Sequence, residues 1–96
     1  LMKLPIMGTM EKSIYTPESH RLCTWLKAQR KAKGLTMRQL AELINEPHSY
    51  IGKIEQGIRR LDVIELVWYC KHLDVDPRKA IDAIEGIADN NANGSE

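Results

Sequence analysis

The segment TMRQLAELINEPHSYIGKIEQG, residues 36–57, contains two short amphipathic helical patterns separated by Asn45-Glu46-Pro47. The first pattern begins with a capping box, in which the Thr36 hydroxyl accepts from the N–H of Gln39 and the Gln39 side chain reaches back to Thr36. Asn45 favours the left-handed conformation that ends a helix. The apolar face of this first helix consists of Met37, Leu40, Ala41 and Ile44.

The second pattern, from His48 to Glu55, is about two helical turns long and only half apolar; Pro47 begins this helix and Gly57 stops it. We expect Ile51, Ile54 and Ile58 to form its buried side. The opposite side carries no acid and includes a glycine, at which a ligand can approach the backbone closely. Short polar side chains of this kind suit the base edges in a DNA groove. The residues of this open side are His48, Ser49, Gly52, Lys53 and Gln56.

Three further helices are predicted on either side of this segment. Helix 1 begins after Thr16-Pro17 and ends at Gly34. Helix 4 takes Asp62 as its N-cap and runs to about His72, whereas helix 5 opens with Asp76-Pro77 and runs to about Ala88. Apart from a weak strand possibility at residues 12–16, the chain therefore predicts an all-α domain. The expected apolar stripes are Leu22, Cys23 and Leu26 on helix 1; Ile64, Leu66 or Val67, Cys70 and Leu73 on helix 4; and Ile81, Ile84 and Ile87 on helix 5.

The length of 96 residues is that of one small domain, which leaves little material for a deep catalytic cleft beside a core. No run of 18 apolar residues is present, so we expect no membrane span. Cys23 and Cys70 match no zinc-ligand spacing, and we expect buried free thiols in the reducing cytoplasm, with no metal and no cofactor. We divide the chain into an N-terminal arm, residues 1–17, that is flexible or partly tag-derived, a helical domain, 18–88, and a disordered tail, 89–96.

The charges are distributed unevenly along the chain. Residues 1–60 carry a net charge of +6 and residues 61–96 a net charge of −5, and six basic residues but no acid lie from Arg21 to Arg38. A chain with one basic half suggests a polyanionic partner for that half. The alternative is that these residues are ordinary solvated helix faces.

A helix, a break of three residues and a second short helix make the helix-turn-helix arrangement. Residues 22–81 resemble the Cro/C1-type (XRE) helix-turn-helix family of bacterial and phage regulators. The resemblance rests on KGLTMRQLAELI, SYIGKIEQG, RRLDVIEL and LDVDP. It implies a five-helix lambda-repressor-like domain that forms a homodimer and inserts helix 3 into the major groove of a near-palindromic DNA operator.

The resemblance also implies roles for individual residues. His48, Ser49 and Lys53 occupy positions that contact bases in the family, with Gly52 between them. The family usually has glutamine, which holds a phosphate, at the position of Met37, so we expect Arg38 to replace that contact. The turn 45–47 replaces the usual Gly-Val-Ser, which can alter the tilt of helix 3. The expected phosphate contacts are Thr36, Met37, Arg38, Gln56, Arg59 and Arg60.

Two further features concern the assembly of the domain. In this family an arginine near the end of helix 1 pairs with a glutamate near the end of helix 3, and Arg30 and Glu55 occupy these positions. The alternative is a surface pair worth under about 1 kcal/mol. Trp68 takes a position that is usually polar in the family, and we expect it to form a dimer contact with Ile84 and Ile87. Packing of Trp68 in its own core is the alternative.

Other classes of function fit the sequence less well. We find no nucleophile–base pair, no paired carboxylates at helix spacing and no phosphate-binding loop, so we expect no enzyme. A protein–protein adaptor with the same fold does not explain the acid-free basic run. Among DNA-binding proteins, we favour a small homodimeric repressor: a Cro-like protein, a restriction–modification controller or an antitoxin with a toxin partner.

Overall fold

The structure, a computed structural model, describes residues 16–87, which form five α-helices and no strand. The helices are α1 (Pro17–Ala32), α2 (Met37–Ile44), α3 (His48–Glu55), α4 (Val63–Leu73) and α5 (Pro77–Glu85). The prediction of an all-α, five-helix domain is confirmed. The expectations for the N-terminal arm, for a strand near residue 12 and for the tail concern residues 1–15 and 88–96, which lie outside the described part.

Local side-chain caps determine where four of the five helices begin. The capping box at α2 is formed, with 3.0 Å from Gln39 N to Thr36 Oγ1 and 2.9 Å from Thr36 N to Gln39 Oε1. A second capping box starts α4, where Asp62 accepts from Glu65 N at 2.8 Å and Glu65 accepts from Asp62 N at 2.9 Å. Each box satisfies two N–H groups that the first turn of a helix leaves without backbone partners. The starts of α2 and α4 are thus each specified within four residues of sequence.

Helices α2 and α4 each end at a residue in the left-handed conformation. Asn45 has φ 67° and Asp74 has φ 61°, both in the left-handed region. The first was expected from the sequence and the second was not, although aspartate tolerates this conformation better than most side chains. Helix α5 ends at Glu85, three residues before the expected end, because Gly86 also adopts the left-handed conformation.

One core cluster connects all five helices. Its most deeply buried members include Leu26 of α1, Leu40 of α2, Ile51 and Ile54 of α3, and Tyr69 of α4. In α5 the buried residues are alanines, which let that helix pack closely against α1. None of the helices within residues 16–87 is long and apolar enough to cross a membrane.

Four residues of the predicted apolar faces are exposed. Two of them, Ile81 at 47% and Ile87 at 43%, belong to the stripe predicted for helix 5, where Ala80 and Ala83 face the core instead. Ile58 is 50% exposed because it follows Gly57, whose φ of 80° turns the chain away from α3. Ile64 is 61% exposed because it lies about 160° around α4 from Leu66, which faces the core. The prediction was wrong here because α4 is apolar on more than one side, so its periodicity leaves the buried side undetermined.

Candidate nucleic-acid interface

The α2–α3 turn fixes the short helix α3 against the domain. The N–H of Glu46 donates to Ala41 O at 3.0 Å, and Asn45 N donates to Glu42 O at 3.2 Å, which satisfies the last carbonyls of α2. Pro47 then extends the chain into α3 without a side-chain cap. Behind α3, Ile51 and Ile54 are almost fully buried and anchor it in the core. Helix α3 is therefore packed on one side only.

The other side of α3 is open to solvent. His48, Ser49, Lys53 and Gln56 are exposed, as the open-side pattern predicts. Gly52 is half-buried, and a Cβ added there meets no heavy atom within 4 Å. The backbone at Gly52 therefore faces free space, into which a ligand can come close.

The single acid of α3 is removed from this open side by an ion pair with α1. Arg30 Nε lies 2.7 Å from Glu55 Oε2, and Arg30 Nη2 lies 3.0 Å from Glu55 Oε1, so the guanidinium holds both carboxylate oxygens. Only 8% of the Arg30 side chain and 5% of the Glu55 side chain are exposed. This hydrogen bonding with Glu55 raises the pKa of Arg30.

Arg30 has a second partner residue, Leu35, which extends the ion pair into a three-way junction. Its Nη1 donates to the carbonyl of Leu35 at 2.8 Å, in the loop that leads from α1 to α2. The last turn of α1, the α1–α2 loop and the last turn of α3 thus meet at one planar group. The exposed surface of α3 consequently carries the positive charge of Lys53 and no negative charge.

The residues expected to contact phosphate lie in two places beside α3. At the start of α2, Thr36 and Arg38 are exposed, whereas Met37 is half-buried against the core. Methionine has no N–H in its side chain, so only the backbone of Met37 is able to donate there. At the end of α3, Gln56 is exposed and its N–H donates to Gly52 O at 3.0 Å.

The loop after α3 holds Arg59 and Arg60, both exposed. Arg59 Nη2 donates to Glu65 Oε2 at 2.8 Å, and its guanidinium lies 4.9 Å from the ring centroid of Tyr50. Arg59 therefore connects α3 to the capping box of α4, a role that the sequence did not indicate. Burial raises the pKa of Tyr50, so its hydroxyl stays protonated near neutral pH.

The residues predicted to form a dimer contact are not gathered in one groove. Trp68 is 60% exposed and lines a groove of about 190 Å³ with Ile44 and Tyr50. Ile84 is half-buried and lines a different groove beside α1, and Ile87 is exposed beyond the end of α5. Trp68 is therefore exposed as expected, but its groove is lined by residues of α2, the α2–α3 turn, α3 and α4, and by no isoleucine of α5.

No cluster of three or more metal-ligating side chains occurs among residues 16–87. Both cysteines are free thiols; Cys70 is buried and Cys23 is half-buried. Burial raises the pKa of Cys70 to about 11, which keeps this thiol uncharged and unreactive near neutral pH.

The comparisons with known proteins find the same helix-turn-helix arrangement. A family model described as helix-turn-helix matches residues 26–79, which include α2, the turn, α3 and α4. No curated protein matched the chain.

Several solved structures are similar to the chain. An XRE-family like protein from Pseudomonas syringae pv. tomato is 32% identical, with a TM-score of 0.69 over 81% of this chain and 95% of that one. The restriction–modification controller protein C.AhdI from Aeromonas hydrophila is 29% identical, with a TM-score of 0.63 over 68% of this chain and 98% of its own. The clp gene regulator ClgR from Corynebacterium glutamicum shares the fold, with 24% identity and a TM-score of 0.67 over 74% of this chain and 76% of its own.

Proposed function

The chain belongs to the Cro/C1-type (XRE) helix-turn-helix family of DNA-binding transcription regulators, and from this we propose that it is a homodimeric repressor that binds a near-palindromic operator through α3. The observation that carries the proposal is the one-sided packing of α3. Ile51 and Ile54 anchor its back, the Arg30–Glu55 pair sequesters its acid, and its open side is polar and free of negative charge. Such a helix is suited to enter a major groove.

We assign base contacts to the first two turns of α3. Lys53 has the reach and the charge to donate to guanine O6 or N7. His48 and Ser49 stand at the N-terminus of α3, the end that enters the groove in this arrangement. Gly52 lets the backbone approach the base edges between them, which is supported by the free space around its Cα.

The phosphate contacts that we propose lie on both sides of α3. At the start of α2, three groups are able to bind the phosphates of one DNA strand: the Thr36 hydroxyl, the backbone N–H of Met37 and the Arg38 guanidinium. The phosphates of the other strand are then contacted by residues that follow α3, namely Gln56, Arg59 and Arg60. Arg59 already has Glu65 as a partner, but a guanidinium has five N–H donors and can take a phosphate as well.

The homodimer that we propose uses the apolar surface of α4 and α5. Val63, Ile64 and Trp68 are exposed on α4, and Ile81 and Ile87 are exposed near the end of the described chain. These exposed apolar side chains on two helices support a partner subunit that covers them. We retain Trp68, Ile84 and Ile87 as proposed contacts. Half-sites are then expected about one helical turn apart, roughly 10 base pairs between centres.

Selection of bound sequences from a random DNA pool tests the proposal. We expect a two-fold symmetric motif. On that motif Lys53→Ala should lose about 1–3 kcal/mol of binding free energy and should lose little on random DNA. Lys71→Ala is the matched control, because Lys71 is an exposed lysine on α4 rather than α3. A pool without a symmetric motif, or equal affinity of the Lys53→Ala variant and the wild type, would contradict the proposal.

Among small regulators, we favour a restriction–modification controller. The similarity to such a controller, 29% identity over 98% of its length, supports this choice. An adaptor or antitoxin that mainly binds a partner protein is the alternative. The neighbouring genes distinguish these classes: a methyltransferase–endonuclease pair is expected for a controller, and a toxin gene for an antitoxin.

A further inference from the structure

An open groove lies between α1 and the end of α3, beside the side of α3 that is proposed to contact DNA. Its volume is about 580 Å³. The α3 wall includes Gln56, which is also one of the proposed phosphate contacts, and Gly57. The α1 wall includes the side chains of His20, Thr24 and Lys27, all three exposed. We call this feature the α1–α3 groove, and it continues the proposed DNA-binding surface onto α1.

The α1 wall is one stripe of the helix. His20, Thr24 and Lys27 follow one another at spacings of four and then three residues, which places their side chains on one face. The stripe is about 10 Å long, since each helical residue adds about 1.5 Å. Each of the three side chains carries an N–H or O–H donor, and Lys27 adds a positive charge. Phosphate oxygens are negatively charged acceptors, so the stripe is complementary to them.

The carboxylate beside this stripe is neutralised by an arginine. Within residues 16–87, Glu55 is the only acid that lines the α1–α3 groove. Arg30 binds both of its carboxylate oxygens, and only 5% of the Glu55 side chain is exposed. Along α1 itself, no acid follows Glu18. A phosphate in the groove therefore meets positive charge and hydrogen-bond donors without repulsion from an unpaired carboxylate.

Lys27 is available for a ligand, whereas another lysine at the end of the same helix is not. Within residues 16–87, Lys27 takes part in no salt bridge. Lys33, by contrast, donates to the carbonyl of Asp74 at 3.0 Å and lies 3.8 Å from its carboxylate. The two lysines carry the same charge but point to different parts of the domain, and of the two only Lys27 lines the α1–α3 groove.

We propose that the α1–α3 groove binds backbone phosphates of the DNA strand that Gln56 contacts, with Lys27 supplying the charge and His20 and Thr24 supplying further donors. Gln56 belongs both to this groove and to the proposed contacts after α3, so a strand that follows those contacts reaches the α1 stripe next. A DNA strand carries one phosphate per about 3.4 Å of its axis, so a stripe of about 10 Å is able to contact more than one. This placement rests on the proposed function, because it takes α3 as the helix in the major groove. Phosphate contacts carry no sequence information, so Lys27 contributes equally to operator and random DNA.

Fluorescence anisotropy with a labelled duplex of random sequence, titrated at several salt concentrations, tests the contact. We expect Lys27→Gln to lower the slope of log affinity against log salt by about one unit, because one phosphate contact is lost. Since such a contact scales as about the −0.9 power of the salt concentration, the affinity at about 0.1 M salt should fall roughly eightfold. Lys33→Gln is the matched control, because it removes the same charge from the end of the same helix but away from the groove. We expect its slope to equal that of the wild type.

Thr24→Lys tests the stripe by a gain of binding. Thr24 is exposed, and lysine is a better helix former than threonine, so the substitution should leave the fold intact. We expect the slope to rise by about one unit and the affinity for the same duplex to increase. A misfolded variant loses affinity, so damage to the fold cannot imitate this result.

Equal slopes for Lys27→Gln and the wild type, or equal losses of affinity in Lys27→Gln and Lys33→Gln, would overturn the proposal. A Thr24→Lys variant without a steeper slope would do the same. Because the duplex has a random sequence, a lowered slope in Lys27→Gln supports the α1 contact even if no symmetric motif is recovered from the random pool. A symmetric motif together with an unchanged slope in Lys27→Gln would refute the α1 contact and leave the repressor proposal standing.

Discussion

Removal of Glu55 is expected to be among the most damaging single substitutions in the domain. In Glu55→Ala the Arg30 guanidinium loses both of its bonds to the carboxylate and retains the Leu35 carbonyl. Since only 8% of the Arg30 side chain is exposed, water cannot replace the lost oxygens without rearrangement. Removing one partner of such a buried pair costs roughly 3–5 kcal/mol. A small domain has about 5–15 kcal/mol in total, so the variant should be close to unfolding.

The double variant Arg30→Met/Glu55→Leu separates the loss of the pair from the cost of a stranded charge. Replacing both partners by apolar groups of similar size is often neutral or stabilising, so we expect it to be more stable than Glu55→Ala. A double-mutant cycle made of Arg30→Met, Glu55→Leu and the double variant should give a coupling between the two sites of about 1–3 kcal/mol. Lys33→Ala provides a surface control, since Lys33 lies 3.8 Å from an Asp74 carboxylate that is 98% exposed. Its cost should stay below about 1 kcal/mol.

Urea unfolding followed by far-ultraviolet circular dichroism gives these free energies, provided that the m-value is the same for all variants. A coupling below about 0.5 kcal/mol, together with a cost for Glu55→Ala no greater than that for Lys33→Ala, would refute the argument. Both side chains would then be solvated, and the angle between α1 and α3 would need another explanation.

Three other predictions concern DNA contact, assembly and the core. Arg60→Ala should weaken binding to operator and random DNA alike and lower the slope of binding against salt by about one unit, and an unchanged slope would exclude a phosphate contact. Trp68→Ala with Ile84→Ser should shift the protein toward monomer in sedimentation velocity and weaken operator binding in parallel; a wild type that is monomeric at micromolar concentration would remove the dimer from the proposal. Burial raises the pKa of Tyr69, and its hydroxyl has no hydrogen-bond partner within residues 16–87. The folded state thus keeps the phenol proton more tightly than the unfolded state. The contribution of the neutral phenol to the free energy of unfolding is therefore fully present below about pH 10 and is lost as the pH rises above it. Tyr69→Phe should leave stability at pH 7 unchanged or raised and should reduce that alkaline loss in pH-dependent urea unfolding; an equally steep loss would show that Tyr69 does not cause it.

The local features of the fold were predictable from short stretches of sequence. The capping box at Thr36 and Gln39 and the left-handed Asn45 involve residues close together in the chain, and the structure contains both. The polar open side of α3 was predictable for the same reason, since it follows from the spacing around Ile51 and Ile54 within one short helix. The roles of these exposed residues on DNA stay predictions.

The tertiary structure decided which apolar side chains the domain buries and which distant groups meet. Helix α4 is apolar on several sides, so its periodicity is compatible with burial of either Ile64 or Tyr69, and packing against α2 and α5 selects Tyr69. Arg59 meets Glu65 and the Tyr50 ring only because the loop after α3 folds back over both helices. Helical spacing is a property of neighbouring residues in the chain, whereas burial depends on which other helix covers a given side. The sequence by itself therefore determined the helices and their caps, and the packing of the five helices determined the surface that the domain leaves exposed.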